Sequence, residues 1–302
     1  MAVPTTQRAT GADQDSTAVV EAIRVAIPES GLRQDLRAIN IVWRREIIRF
    51  KTDRLRAVTS LVQPVLFLFV LGTGLSSLAS AGMPAGVRFQ TFIYPGVLSM
   101  SVLFTAIFSA ASIVWDREFG FLREMLVAPV SRSAIVIGKC LGGATVATFQ
   151  GIVILALAGL AHVPYNPILI LTVIGELLLL SFTLTAFGVM MAARIKQMQA
   201  FMALTQMLLM PLFFLSGALY PLRALPGWLT VLTRLDPLTY AVYPMREAVF
   251  SHLGISPATS AALSPAVTWF GWAVPVGLSI GIVAVMGAAL LGMAIAEFQR
   301  TE

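Results

Sequence analysis

Glu176, in the run VIGELLLL, is the titratable residue least suited to its surroundings. An ionised carboxylate at the centre of a membrane span costs about 2.5–3.5 kcal/mol on insertion scales. Such a group must face protein or water, or hold a proton. It could contact a substrate or a proton, or hydrogen-bond a neighbouring helix. No second acidic residue lies in any apolar stretch to make a relay, which favours the hydrogen bond. Gln63, Gln150 and Gln206 suit the same interhelical role. His162 and His252 lie far apart, with no acidic or cysteine companion at ligand spacing, so no metal site is expected. Cys140 is the single cysteine, which excludes an intrachain disulfide. There is no G-x-x-x-x-G-K-[ST] phosphate loop; Gly138-Lys139 is followed by Cys140 and lacks the upstream glycine. G-x-S-x-G and H-E-x-x-H are absent as well. The chain is expected neither to hydrolyse ATP alone nor to carry covalent or metal catalysis, and no cofactor is expected on it.

The elements that must position these groups are membrane helices. Of 302 residues, 57% are hydrophobic and 12% charged. The charged share is about half that of a soluble domain. Mean hydropathy is +0.84. An all-α membrane protein is expected, with six spans of roughly 20 residues or more at 58–80, 90–114, 134–161, 168–192, 201–220 and 266–296. Of the 21 Lys and Arg, 17 fall on segments that share a side with the N-terminus; Arg88, Arg223, Arg234 and Arg246 fall on the other. The positive-inside rule then places both termini in the cytoplasm. The first 57 residues hold no apolar signal-peptide core, so the first span is expected to act as an uncleaved insertion signal. A net charge of +6 suits a basic face on an anionic leaflet, not a nucleic-acid partner.

Residues 1–31 read as a flexible cytoplasmic tail. Over 32–57, Leu32, Leu36, Ile39, Trp43, Ile47 and Phe50 recur at steps of four, three, four, four and three. This is one face of a helix, with Arg44, Arg45 and Arg49 on the rest. A basic amphipathic helix before a span is expected to lie in the cytoplasmic interface, as a connector to a partner or as a passive anchor. Residues 58–302 form the six-span domain. In the loop between the second and third spans, Phe119, Leu122 and Leu126 make a short apolar stripe beside Arg117, Glu118, Arg123 and Glu124. Ala128-Pro129 ends that helix, and Ser131 or Ser133 can cap the next. Such a helix could dock in a groove of another protein or merely join two spans. The loop between the fifth and sixth spans is rich in Pro and aromatic residues and reads as structured. Its Arg234, Asp236, Tyr240, Tyr243, Arg246 and Glu247 could gate an exit or simply close the outer surface. Trp269 and Trp272 are expected at the outer interface.

FGFLREMLVAPVSRSAIVIGK resembles the cytoplasmic signature of ABC-2 type exporter permeases, with a Gly, a Glu, an apolar pair, a Pro, a Ser-Arg and a Lys in that order. FFLSGALYPLRALPGWLTVLTRLDPLTYAVYPMREAVF resembles the family's C-terminal signature, through Ser216-Gly217, Pro221, Pro226, Trp228-Leu229, Pro237, Thr239-Tyr240 and Arg246. The resemblance covers about residues 35–298 and is nearest the daunorubicin-type, drug-resistance and polysaccharide-export branch. It implies a coupling helix at about 117–128, including Arg117, Glu118, Phe119, Gly120, Leu122, Glu124, Leu126 and Pro129. It also implies short re-entrant helices at about 221–252. Two permease chains, as homodimer or heterodimer, would pair with two ATP-binding cassette subunits that carry ATP and Mg. The expected role is the exporter's pathway for a hydrophobic or amphiphilic substrate (drug, lipid, glycolipid or polysaccharide) in a bacterial plasma membrane. A proton- or sodium-driven carrier would rest on Glu176 alone. A lipid enzyme would need clustered His, Asp or Glu, which are not found.

Overall fold

In the computed structural model, the described residues are 31–76, 87–121, 125, 130–222, 226–269 and 271–301. The expected tail thus lies outside them, apart from Gly31. Among the described residues, six helices are long and apolar enough to cross a membrane: Ala57–Gly74, Phe89–Glu118, Arg132–Leu155, Pro167–Arg194, Met198–Leu215 and Val276–Arg300.

Helix α1 (Leu32–Thr52) precedes the first span and lies along the third. The first span begins in α2 (Arg54–Leu66), where Pro64 interrupts the hydrogen-bond ladder, and continues through a π-helical turn, Phe67–Leu71. The second span is α3 (Phe89–Ser109) and α4 (Ala111–Glu118), joined at Ala110. The third is α5 (Arg132–Leu155). Ser131 caps it, its hydroxyl accepting from Ala134 N at 3.2 Å. The fourth is α6 (Pro167–Arg194), entered through an Asn166 cap and a proline at its first position. The fifth is α7 (Met198–Leu215). Two short helices follow, α8 (Gly227–Leu235) and α9 (Pro237–Ser251), then α10 (Pro257–Leu263). A hairpin of β1 (Thr268–Trp269) and β2 (Trp272–Ala273) leads into the last helix, α11 (Val276–Thr301).

The second and third spans are the most enclosed; the first, fifth and sixth leave most of their surface uncovered by this chain. Helix α6 runs against α11, α5 and α3. With no hydrophobic drive between helices in lipid, packing depends on small residues that let backbones approach. Gly138 does this for α1: a Cβ there would stand 2.8 Å from the Val42 Cβ. Gly96 does it between α3 and the turn after α7, where a Cβ would stand 2.5 Å from the Ala218 carbonyl oxygen.

Several boundaries differ from the sequence expectation. The sixth span was expected from 266, but its helix starts at Val276, because the hairpin turns at Gly271 with φ +85°. The third was expected to reach 161, but α5 ends at Leu155. A 3-10 turn, Ala158–Ala161, follows and closes on His162 at φ +58°. The second was expected to end at 114, but runs to Glu118, so Arg117 and Glu118 finish that span and do not open a separate helix. Helix α1 buries Ala38, Val42 and Glu46, not the whole apolar stripe; Leu32 and Leu36 stay exposed.

Candidate functional site

Four charged side chains converge where α1 meets the ends of α4 and α5. Lys139, on α5, is buried. Its ammonium donates to Glu46 Oε1 on α1 at 2.6 Å, to Asp116 Oδ2 on α4 at 2.7 Å and to Ser112 Oγ at 2.9 Å. Arg45 also donates to Asp116, and lies 3.8 Å from Glu46 Oε1. Two cations and two anions thus compensate one another; Lys139 and both carboxylates are too enclosed to stand alone, while Arg45 is partly exposed. Gly142 makes room for this meeting: a Cβ there would stand 2.7 Å from the Glu46 Cβ.

The next two residues reach the opposite way. Arg117 donates to the carbonyls of Ala192 at 3.0 Å, Ala193 at 3.1 Å and Ile195 at 2.7 Å, satisfying the last turn of α6. Glu118 accepts from Met198 N at 3.2 Å, at the first turn of α7. Three consecutive residues therefore tie α1 and α5, by Asp116, to the turn between the fourth and fifth spans. Beyond them the chain turns at Gly120, φ +83°, and presents Phe119 and Phe121 exposed. Trp115 packs 5.5 Å from Phe119, ring to ring, and Arg49 sits 5.6 Å above the Trp115 ring. Arg44 is exposed on α1. At the start of α1, Asp35 Oδ1 accepts from Ser131 N at 3.0 Å. Leu122, Glu124, Leu126 and Pro129, expected in the coupling helix, lie outside the described residues.

A cavity of about 240 Å³ opens beside this cluster, between the end of α1, the first span and the halves of α3 and α5 nearer the cluster. Gln63 and Gln150 both line it. Gln150 donates to the Ala57 carbonyl at 3.2 Å, and its amide also bonds Ser60 and Thr105, so it joins three spans. Gln206 is exposed. Glu176 is buried away from the cavity lining. Its Oε2 has no hydrogen-bond partner among the described residues.

At the other end, Arg246 on α9 is buried and donates to the carbonyls of Gly217 at 2.9 Å and Ala218 at 3.0 Å. Its guanidinium lies 4.3 Å above the Phe92 ring. Burial lowers its pKa, yet an arginine there stays charged at neutral pH. Gly217 holds φ +72°, and a Cβ would stand 2.6 Å from Leu222 Cγ, so only glycine fits the turn after α7. Ser216 spans that turn, donating to the Phe213 carbonyl at 2.6 Å and accepting from Ala218 N at 3.2 Å. Pro221 lies half-buried a little beyond. Asp236 caps α9 ahead of Pro237, accepting from Leu238 N at 2.9 Å. Burial pushes its carboxyl up to about 8. Tyr240 accepts from Trp269 Nε1 at 2.8 Å, which fixes the hairpin on α9. The sequence reading assigned Ser216, Gly217, Pro221, Pro237, Tyr240 and Arg246 to one region, and it missed the Glu46–Lys139–Asp116 cluster. The signal available for that cluster was Glu46 at the four-residue steps of Ala38 and Val42, with Lys139 inside the small, apolar run GKCLGG. Among the described residues no group of His, Cys, Asp and Glu is arranged to hold a metal ion.

Residues 37–250 match the family described as ABC-2 type transporter. The inner membrane transport permease YadH of Escherichia coli strain K12 is 30% identical over 239 residues, 78% of this chain and 88% of that protein. The putative transport permease ycf38 of Cyanophora paradoxa is 28% identical over 70% of this chain and 73% of its own length. Nodulation protein J of Rhizobium leguminosarum bv. trifolii is 27% identical over 70% and 80%.

Proposed function

This chain belongs to the ABC-2 type transporter family as a multi-pass membrane permease, and we propose that it forms the translocation pathway of an exporter driven by a separate ATP-binding cassette subunit. Two permease chains pair with two such subunits, which carry the ATP and Mg. The cargo is hydrophobic or amphiphilic. The chain sits in a bacterial plasma membrane with both termini cytoplasmic, as the distribution of Lys and Arg favours.

The observation that carries this reading is the run Trp115–Phe119. Its aromatic side chains are exposed, while Asp116, Arg117 and Glu118 between them grip α1, α5, α6 and α7. A partner pressing on the aromatic face would move four helices through hydrogen bonds rather than through a flexible loop. Coupling of this kind needs a contiguous set of packed and bonded groups, and this run provides one. The uncovered faces of the first and fifth spans are suited to a second permease chain or to lipid. The outer turn pinned by Arg246, with α8 and α9, is suited to closing the pathway on the far side. The helices α8 and α9 are the segments for re-entry into the membrane.

Affinity purification in mild detergent from the native membrane tests this. An ATP-binding cassette protein is expected at one copy per permease. A chain that purifies alone, with transport that follows the proton gradient and fails in Glu176→Gln, would replace this reading with a secondary carrier.

A further inference from the structure

We infer that the cavity behind the first span is a binding site for a neutral, hydroxyl-rich group, such as the sugar or polyol head of an amphiphile. The inference takes its purpose from the permease reading, but the binding itself does not depend on an ATPase.

The first observation is the lining. Gln63, Gln150, Thr105, Ser60 and Thr59, all on helices long and apolar enough to cross a membrane, bring amides and hydroxyls to one space; in such helices polar groups are costly unless they meet a partner. Those of Gln150, Ser60 and Thr105 bond one another. The Gln63 amide, by contrast, makes no hydrogen bond to another described residue, though it belongs to the first membrane span. An amide carries two donors and two acceptor sites, so what fills the cavity must offer both kinds. A hydroxyl does; a carboxylate, a sulfate or a quaternary ammonium does not.

The second observation is the charge balance. Glu46 forms one edge of the cavity, but Lys139 neutralises it at 2.6 Å. Arg49 and Asp53 bring opposite signs to the same end. A charged head group would meet no uncompensated countercharge there and would lose its hydration on arrival.

The third observation is shape. Phe50, Phe104 and Phe108 line the same space with aromatic rings. The faces of such rings accept the C–H side of a sugar ring while its hydroxyls turn to the amides. At about 240 Å³ the cavity falls below the roughly 300–1,000 Å³ of a site enclosing a whole drug-sized ligand. It suits a head group, with any tail left outside along the uncovered first span.

The test uses the full chain in phosphatidylcholine nanodiscs with Thr59→Cys as a reporter; Cys140 is buried and labels slowly. Maleimide labelling is followed with octyl glucoside, octyl sulfate, octyltrimethylammonium or methyl glucoside, all below micellar concentrations. Octyl glucoside is expected to slow labelling about tenfold at saturation, and the two charged octyl probes to leave it unchanged. Added protection by methyl glucoside alone would identify a soluble sugar as sufficient; its absence would identify a membrane amphiphile as the source. Gln63→Leu in the reporter is expected to weaken octyl glucoside about fivefold, the worth of one hydrogen bond. Equal slowing by all three octyl probes, or none by octyl glucoside, would overturn the assignment. So would unchanged protection in a folded Gln63→Leu chain. None of these outcomes bears on whether an ATPase subunit is bound, so either reading can fail alone.

Discussion

The Lys139 ammonium lies 2.6 Å from Glu46 Oε1, joining the third span to the helix that precedes the first. The two residues are 93 positions apart, and Asp116 completes the contact from the second span at 2.7 Å.

Removing Lys139 leaves two carboxylates enclosed with Arg45 alone. Lys139→Met is expected to destabilise the detergent-solubilised protein by about 3–5 kcal/mol, the usual cost of stranding a buried charge. Adding Glu46→Gln to it removes the stranded charge and should recover much of the loss. Thermal unfolding of the single and double variants decides this; equal stability of Lys139→Met and the parent would show that the cluster holds nothing together.

Asp236 sets a dependence on pH. Its carboxyl ionises near 3.9 in an unfolded chain, and burial pushes it up to about 8 in the fold. The folded form therefore binds more protons between those values, and its stability falls as pH rises from about 4 to about 8. Asn caps a helix as well as Asp and carries no proton equilibrium. Asp236→Asn should flatten that stretch and raise the midpoint at pH 8 more than at pH 5. Parallel unfolding curves for the two proteins would contradict this.

Arg246 satisfies two carbonyls at once, both from its Nη2. Arg246→Met is expected to leave both carbonyls without that donor, at about 1–3 kcal/mol. Gly217→Ala should fail at the same turn through strain and the Leu222 contact. A midpoint unchanged in both would mean that the turn is not held by this pair.

Topology is checked by reporters. A fusion after Arg300 should read as cytoplasmic and one at Tyr165, an exposed residue in the turn between the third and fourth spans, as external. The reverse pattern would invert the account of which end meets the ATPase.

The spans were legible because each is a long apolar run, and no soluble arrangement explains six of them. Their ends were less so. Hydropathy does not separate Trp269 in a hairpin from a tryptophan opening a helix, and it ran the sixth span ten residues too far toward the N-terminus. The stripe Leu32–Phe50 identified α1 as amphipathic, but its protein-facing side is set by Gly138 and Gly142, which admit Val42 and Glu46. A moment counts apolar residues; it does not know where the partner helix has no side chain. The charged cluster escaped for a related reason. Glu46, Asp116 and Lys139 carry no motif, and only the packing of three helices brings them together.

The most direct test of the central claim is a cross-link from Phe119→Cys to a co-expressed ATP-binding cassette subunit, with Tyr165→Cys as the control on the opposite end. Cys140 is buried and contributes little background. The account predicts a covalent adduct from position 119 whose yield changes on adding ATP and Mg, and none from position 165. An adduct from 165, or none from 119 in a complex that still transports, would contradict it.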